Sequence, residues 1–159
     1  MASIKEIAKY GTEHEAALIV KDTSYIPEEK FAFCPMGCAK TVEGILKEVA
    51  GTNARIAASL RGEDPASSAS YLQFEKRVGE ASGLDVLGRL VIESGEIVCR
   101  AIDGIPEADL DKPVKMPWGA MFPASAAIFL PASHMSYHDG QVNYIQTLLG
   151  DAAFHWAEG

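Results

Sequence analysis

Apolar residues recur at helical spacing along much of the chain. The clearest case is residues 41–62, TVEGILKEVAGTNARIAASLRG, where they follow the three-and-four spacing of a core-facing helix. That stripe consists of Val42, Ile45, Leu46, Val49, Ile56 and Leu60. A weaker stripe over residues 4–20 consists of Ile4, Ile7, Ala8, Gly11 and Leu18. These patterns predict the first two helices, and Gly62 is expected to end the second.

The rest of the chain also favours helices. Residues 70–104 are predicted to form one long helix or two pieces broken near ASGLD. Residues 103–125 contain four prolines and two glycines, which indicates a long connection. A last helix is expected over roughly 124–150, with Pro131 either kinking it or marking its true start. The sum is an all-α, four-helix bundle with a long crossing connection, formed as a single domain by residues 1–159.

Composition narrows the class of protein. The formal charge is −8 and the basic residues are scattered, which disfavours nucleic-acid binding. No apolar run reaches the length of a membrane span, so membrane insertion is not expected. The three cysteines are an odd number, which favours a reducing, cytoplasmic location over a disulfide framework.

The candidate chemistry lies in PASHMSYHDGQVNYIQTLLGD, residues 131–151, where His134 and His138 are four residues apart. On a helix, this spacing directs both imidazoles toward the same region. A helical wheel adds Leu130, Gln141, Ile145 and Leu148 to that face and puts Ser136, Asp139 and Asn143 on the opposite side. Either each histidine is a core residue with its own partner, or the two share a divalent metal.

A catalytic metal usually needs a third protein ligand. The candidates are His14, Glu15, Glu48, His155 and the cysteines. From its position alone, Glu48 is better explained as a surface carboxylate beside Lys47. The CPMGC stretch pairs Cys34 with Cys38, but no second Cys/His pair follows at zinc-ribbon distance, so structural zinc is disfavoured. A redox or crosslinking role for this pair stays open, and Cys99 is expected in the core.

Two blocks of the sequence resemble the DinB-like family of helical metal-binding proteins, which includes thiol transferases related to bacillithiol and mycothiol enzymes. HMSYHDGQVNYIQTLLG is similar to the last-helix signature of that family, and residues 41–62 are similar to its second helix. The resemblance implies a DinB-like bundle in which His134 and His138 are paired metal ligands. The position of the family's remaining histidine falls on Glu48, so the implied ligand set is two histidines and one carboxylate.

The resemblance implies a divalent metal (Zn, Ni, Fe or Mn), a small-molecule substrate, a homodimer and a possible low-molecular-weight thiol cofactor. The first hypothesis is a metal-dependent transferase, including a thiol S-transferase, or a hydrolase. The alternative is a non-enzymatic stress-response or ligand-binding bundle with a degenerate metal site. Residues expected to bind substrate or to support the ligands are Gln141, Asn53, Tyr137 and Tyr144. For Asn53, Tyr137 and Tyr144, ordinary packing is the other interpretation.

Overall fold

The computed structural model describes residues 2–155 and is mostly helical. The helices are α1 (Ile4–Thr23), α2 (Val42–Leu60), α3 (Ala69–Glu80), α4 (Leu84–Asp103), α5 (Ala124–Ala127) and α6 (Leu130–Leu148). Short 3-10 helices span Glu28–Lys30 and Glu107–Asp109. Strands β1 (Pro113–Lys115) and β2 (Met121–Pro123) form an antiparallel hairpin in which Val114 pairs with Phe122. The predicted all-α class is confirmed.

Helices α1, α2, α4 and α6 form the bundle. Helix α2 packs against α3, α4 and α6, while α1 packs against α4 and α6. Every member of the predicted α2 stripe is buried, from Val42 to Leu60. Within residues 2–155, no helix combines the length and the apolar character needed to cross a membrane.

Local signals explain where the helices begin. The Ser3 side chain accepts a hydrogen bond from the backbone of Glu6, whose carboxylate accepts one from the Ser3 backbone N–H, which is a capping box. The Thr41 hydroxyl accepts from the backbone N–H of Gly44 at the start of α2. Between α3 and α4, Gly83 has a φ of 79°, a conformation that suits glycine. The region after residue 70 is therefore two helices.

Of the stripe predicted for helix α1, only Ala8 is fully buried. Ile4 and Ile7 are exposed, whereas the buried residues of this helix are mostly small: Ala8, Thr12, Ala16, Ile19, Asp22 and Thr23. A Cβ on Gly95 of α4 would lie 3.4 Å from the Ala16 Cβ, which shows how closely α1 and α4 approach. Small side chains permit this approach, so size and not hydrophobicity selects the buried face.

The predicted last helix is interrupted. Helix α5 ends at Ala127, and α6 begins at Leu130 with Pro131 in its first turn. A proline is tolerated there because the first N–H groups of a helix have no intrahelical acceptor. Pro131 therefore marks the start of the histidine-bearing helix.

Candidate metal centre

His134 and His138 meet on α6. Their Nε2 atoms are 3.1 Å apart, and the ring planes are nearly perpendicular at 81°. His138 is 1% exposed and His134 is half-buried. The pair lies at one edge of the buried face of α6, whose apolar members are Pro131, Met135, Val142 and Ile145.

Helix α2 brings a carboxylate to the same point. Oε1 of Glu48 lies 3.5 Å from Nε2 of His138. One ligand atom from each of Glu48, His134 and His138 lies within 4.8 Å of the others. Two imidazole nitrogens and a carboxylate oxygen are a donor set that suits Zn and neighbouring divalent metals. Among residues 2–155, these are the three histidine, cysteine or acidic side chains whose ligand atoms lie close enough together to hold one metal ion.

Gln141 fixes the orientation of His138. Its Oε1 is 2.7 Å from Nδ1 of His138, so the carbonyl accepts the Nδ1 proton and leaves Nε2 with a free lone pair toward Glu48 and His134. The Gln141 amide nitrogen donates to the Tyr137 hydroxyl at 3.1 Å. A hydrogen-bonded partner of this kind selects the tautomer that a metal requires.

The His134 ring is less well satisfied. Because Nε2 of His138 is an acceptor, Nε2 of His134 donates to it in the metal-free protein. Nδ1 of His134 is then a buried acceptor, and no group within residues 2–155 hydrogen-bonds to it. A proton moved from Nε2 to Nδ1 would free Nε2 as a ligand. Three converging acceptors with only one proton between them fit a cation, so the residues present fit a divalent metal.

The electrostatics favour a neutral His134 and an ionised Glu48. Burial, aided by the neighbouring His138, lowers the pKa of His134 to about 4. Burial pushes the pKa of Glu48 upward, but the hydrogen bond and the charge of the Lys40 ammonium outweigh this and hold the pKa below its usual value. Neutral imidazoles and an ionised carboxylate are the protonation states that bind metal.

One side of α6 differs from the prediction. Asp139, expected on the solvent side, is 2% exposed and faces the fully buried Asp22 of α1. The Asn143 amide donates to both carboxylates, at 3.0 Å to Asp22 and 3.2 Å to Asp139. Burial and the charge of Asp22 raise the pKa of Asp139 to about 7. The prediction was wrong because α1 covers a flank of α6 that a helical wheel treats as solvent.

The other proposed third ligands lie elsewhere. His14 is exposed and stacks on Tyr10, and Glu15 is half-buried near Asp139. Nε2 of His155 donates to the Asp151 carboxylate at 2.8 Å. The three cysteines are free: Cys34 and Cys38 are exposed and Cys99 is buried. Among the described candidates, only Glu48 joins the histidine pair.

Two of the predicted supporting residues do not contact the ligands. Asn53 is fully buried, and its amide donates to Ser94 at 3.1 Å and to the sulfur of Met135 at 3.3 Å. It therefore joins α2, α4 and α6 in the core. Tyr144 is 63% exposed, while the equally exposed Tyr137 contacts the edge of the His138 ring, with the centroids 5.1 Å apart.

Sequence reasoning missed Lys40. Its ammonium forms an ion pair with Oε2 of Glu48, whose other oxygen, Oε1, lies 3.5 Å from Nε2 of His138. Lys40 directly precedes the N-cap Thr41 and lies eight residues from Glu48. It stands outside the helical pattern, so periodicity gives no signal for it.

Comparison with known proteins identifies a solved structure with a similar fold. No family model and no curated protein matches the chain. Among solved structures, it is similar to a mutant of the mycothiol-dependent maleylpyruvate isomerase, with a TM-score of 0.63 and 16% identity over 89% of this chain. This chain has the DinB-like fold. The match covers 63% of the isomerase chain, and at this identity the DinB-like likeness establishes the fold alone.

Proposed function

We propose that this chain is a divalent-metal-dependent enzyme acting on a small molecule, as a transferase, including a thiol S-transferase, or as a hydrolase. The observation that carries the proposal is the convergence of Glu48, His134 and His138 from two helices. A divalent ion bound there supplies Lewis acidity that activates a thiol or a water as a nucleophile. The thiol option draws support from the mycothiol-dependent isomerase with the same fold.

The chain's own residues prepare the site for this chemistry. Gln141 holds His138 in the tautomer that presents Nε2, and Tyr137 orients the Gln141 amide. Deep burial of His138 excludes water from one side. Glu48 is 35% exposed at its side chain, so a substrate reaches the ligands from the Glu48 side. A metal with three protein ligands keeps a position for that substrate.

The test is metal content. The protein is purified without a histidine tag and analysed by plasma mass spectrometry beside His138→Ala and Glu48→Ala, with His14→Ala as the control for an exposed histidine. We expect about one metal per chain, lost in His138→Ala, reduced in Glu48→Ala and unchanged in His14→Ala. A wild-type protein that stays empty when offered Zn, Ni, Mn and Fe would overturn the proposal.

A second candidate is a non-enzymatic DinB-like binding or stress-response bundle with a degenerate metal site. The observation in its favour is the Lys40–Glu48 ion pair, which gives the carboxylate a partner without any metal. Metal content separates the two candidates, because the second predicts an empty or weakly occupied site.

We also propose that the chain forms a homodimer in the cytoplasm. Tyr137, Tyr144 and Leu148 lie on one stripe of α6 and are 65%, 63% and 47% exposed. Gly140 lies between the two tyrosines, and a Cβ added there would meet no atom within 4 Å. An apolar stripe with a gap in it suits close packing against a second copy. The free cysteines favour a reducing compartment.

A further inference from the structure

Lys40 places a positive charge at the edge of the candidate metal centre. Its ammonium contacts Oε2 of Glu48 while Oε1 of the same carboxylate faces His138. Glu48 is thus held between a cationic group and a metal ligand. The segment that carries Lys40 is anchored on both sides. The Thr41 hydroxyl caps α2, and the Cys34 thiol donates to the carbonyl of Ala39 at 3.2 Å.

Exposure defines the open side of the centre. The side chain of His138 is 1% exposed, that of Glu48 is 35% exposed and that of Lys40 is 44% exposed. Accessibility therefore rises from the imidazole, through the carboxylate, to the ammonium. A small molecule that approaches the ligand atoms from the Glu48 side passes beside the Lys40 ammonium.

The positive charge of Lys40 has opposite effects on the binding of a metal ion and on the binding of an anion. An ammonium next to a metal-binding carboxylate competes with a divalent cation for that carboxylate and repels it. The same ammonium attracts an anion that approaches the metal, because the positive charges of the ammonium and of the metal ion act on the anion together. Substitution of a residue with only a structural role would change the metal affinity and the anion affinity in the same direction, or would change neither.

We propose that Lys40 selects anionic ligands for this centre, such as a thiolate or a carboxylate, at the expense of metal affinity. This inference rests on the proposed metal site and adds the charge class of its substrate. Lys40 acts by a fixed charge beside the ligands and forms no bond to the metal.

The experiment measures two affinities on Lys40→Met and on the wild type. Co²⁺ binding to metal-free protein is followed by calorimetry. The Co²⁺-loaded protein is then titrated with thiocyanate as the anionic probe and with imidazole as the neutral probe, using the visible spectrum. We expect Lys40→Met to bind Co²⁺ about fivefold tighter and thiocyanate about fivefold weaker, the upper range for an exposed ion pair. Imidazole binding should rise or stay unchanged.

The matched control is Lys47→Met. Lys47 also lies beside a carboxylate, pairing with Glu43 at 2.8 Å, and its side chain is 30% exposed. It should behave as the wild type, and Lys40→Arg should restore the wild-type pattern. Circular dichroism checks that each variant is folded.

Two results would overturn the inference in distinguishable ways. In the first, Co²⁺ binds and His138→Ala abolishes binding, but Lys40→Met leaves the Co²⁺ and thiocyanate affinities unchanged. This result would rule out the role of Lys40 and would support the metal site. If neither the wild type nor Lys40→Met binds Co²⁺ more tightly than His138→Ala, both the role of Lys40 and the proposed function fall.

Discussion

Oε1 of Glu48 lies 3.5 Å from Nε2 of His138, so a carboxylate on α2 faces an imidazole on α6 inside the bundle. This contact joins two helices that are far apart in the chain, and it depends on how α2 and α6 pack. Oε2 of the same carboxylate contacts Lys40. The Glu48 carboxylate therefore contacts both the His138 imidazole and the Lys40 ammonium.

The Gln141–His138 hydrogen bond should contribute to metal affinity. Gln141→Leu removes the acceptor for the Nδ1 proton, so His138 is free to change tautomer or rotate. We expect Zn²⁺ affinity to fall by about tenfold, at the lower end for a supporting residue of a metal ligand. Competition with a chromophoric chelator measures this. Tyr137→Phe, which removes only the partner of the Gln141 amide, should have a smaller effect, and full affinity in Gln141→Leu would contradict the orienting role.

The Asp139 carboxyl should make the metal-free protein less stable as the pH rises. Its pKa is about 7 in the folded protein, against 3.8 for the ordinary group. Between these values the folded state binds more protons than the unfolded state, so the free energy of unfolding falls as the pH increases through that window. Asp139→Asn removes the ionisation while keeping the shape.

Asp139→Asn and wild type should therefore have similar stability near pH 4, diverge between pH 4 and pH 7, and differ by a constant amount above pH 7. At pH 8 we expect the variant to be more stable by about 1–3 kcal/mol. Urea unfolding in the presence of a chelator gives both values. A variant less stable than wild type at pH 8 would mean that the ionised carboxylate is stabilising.

Asn53 should stabilise the core without supporting the metal. Asn53→Ala removes the amide that joins Ser94 and Met135 and leaves a small cavity. We expect the free energy of unfolding to fall by about 1–3 kcal/mol. The Zn²⁺ affinity of the folded variant should stay within about twofold of wild type, below the tenfold or greater loss typical of a residue that supports a ligand. A loss of that size would restore the role predicted for Asn53 beside the ligands.

The exposed stripe of α6 should mediate association. Tyr144→Glu places a charge in the middle of the stripe formed by Tyr137, Tyr144 and Leu148. We expect the variant to be monomeric in sedimentation equilibrium under conditions where the wild type is dimeric, because burying an unpaired charge is costly. Met36→Glu is the control, since Met36 is 82% exposed outside the helices. A wild-type monomer would remove the dimer proposal.

Patterns local to one helix could be predicted from the sequence. The α2 stripe from Val42 to Leu60 is buried as predicted, because its apolar residues are large and regularly spaced. The approach of His134 to His138 follows from their spacing of four on one helix. Pro131 was predicted either to kink the last helix or to mark its start, and its place in the first turn of α6 shows that it marks the start. The resemblance added Glu48, which periodicity alone could not select.

Properties that depend on neighbouring helices were decided only by the tertiary structure. Asp139 is buried because α1 brings Asp22 against that flank of α6, and no wheel of α6 alone contains this information. The buried face of α1 consists mostly of small residues, since α4 approaches it closely at Gly95. Lys40 reaches Glu48 from a non-helical segment, where side-chain direction follows no period. Sequence periodicity determined the helices, and packing determined which polar groups meet between them.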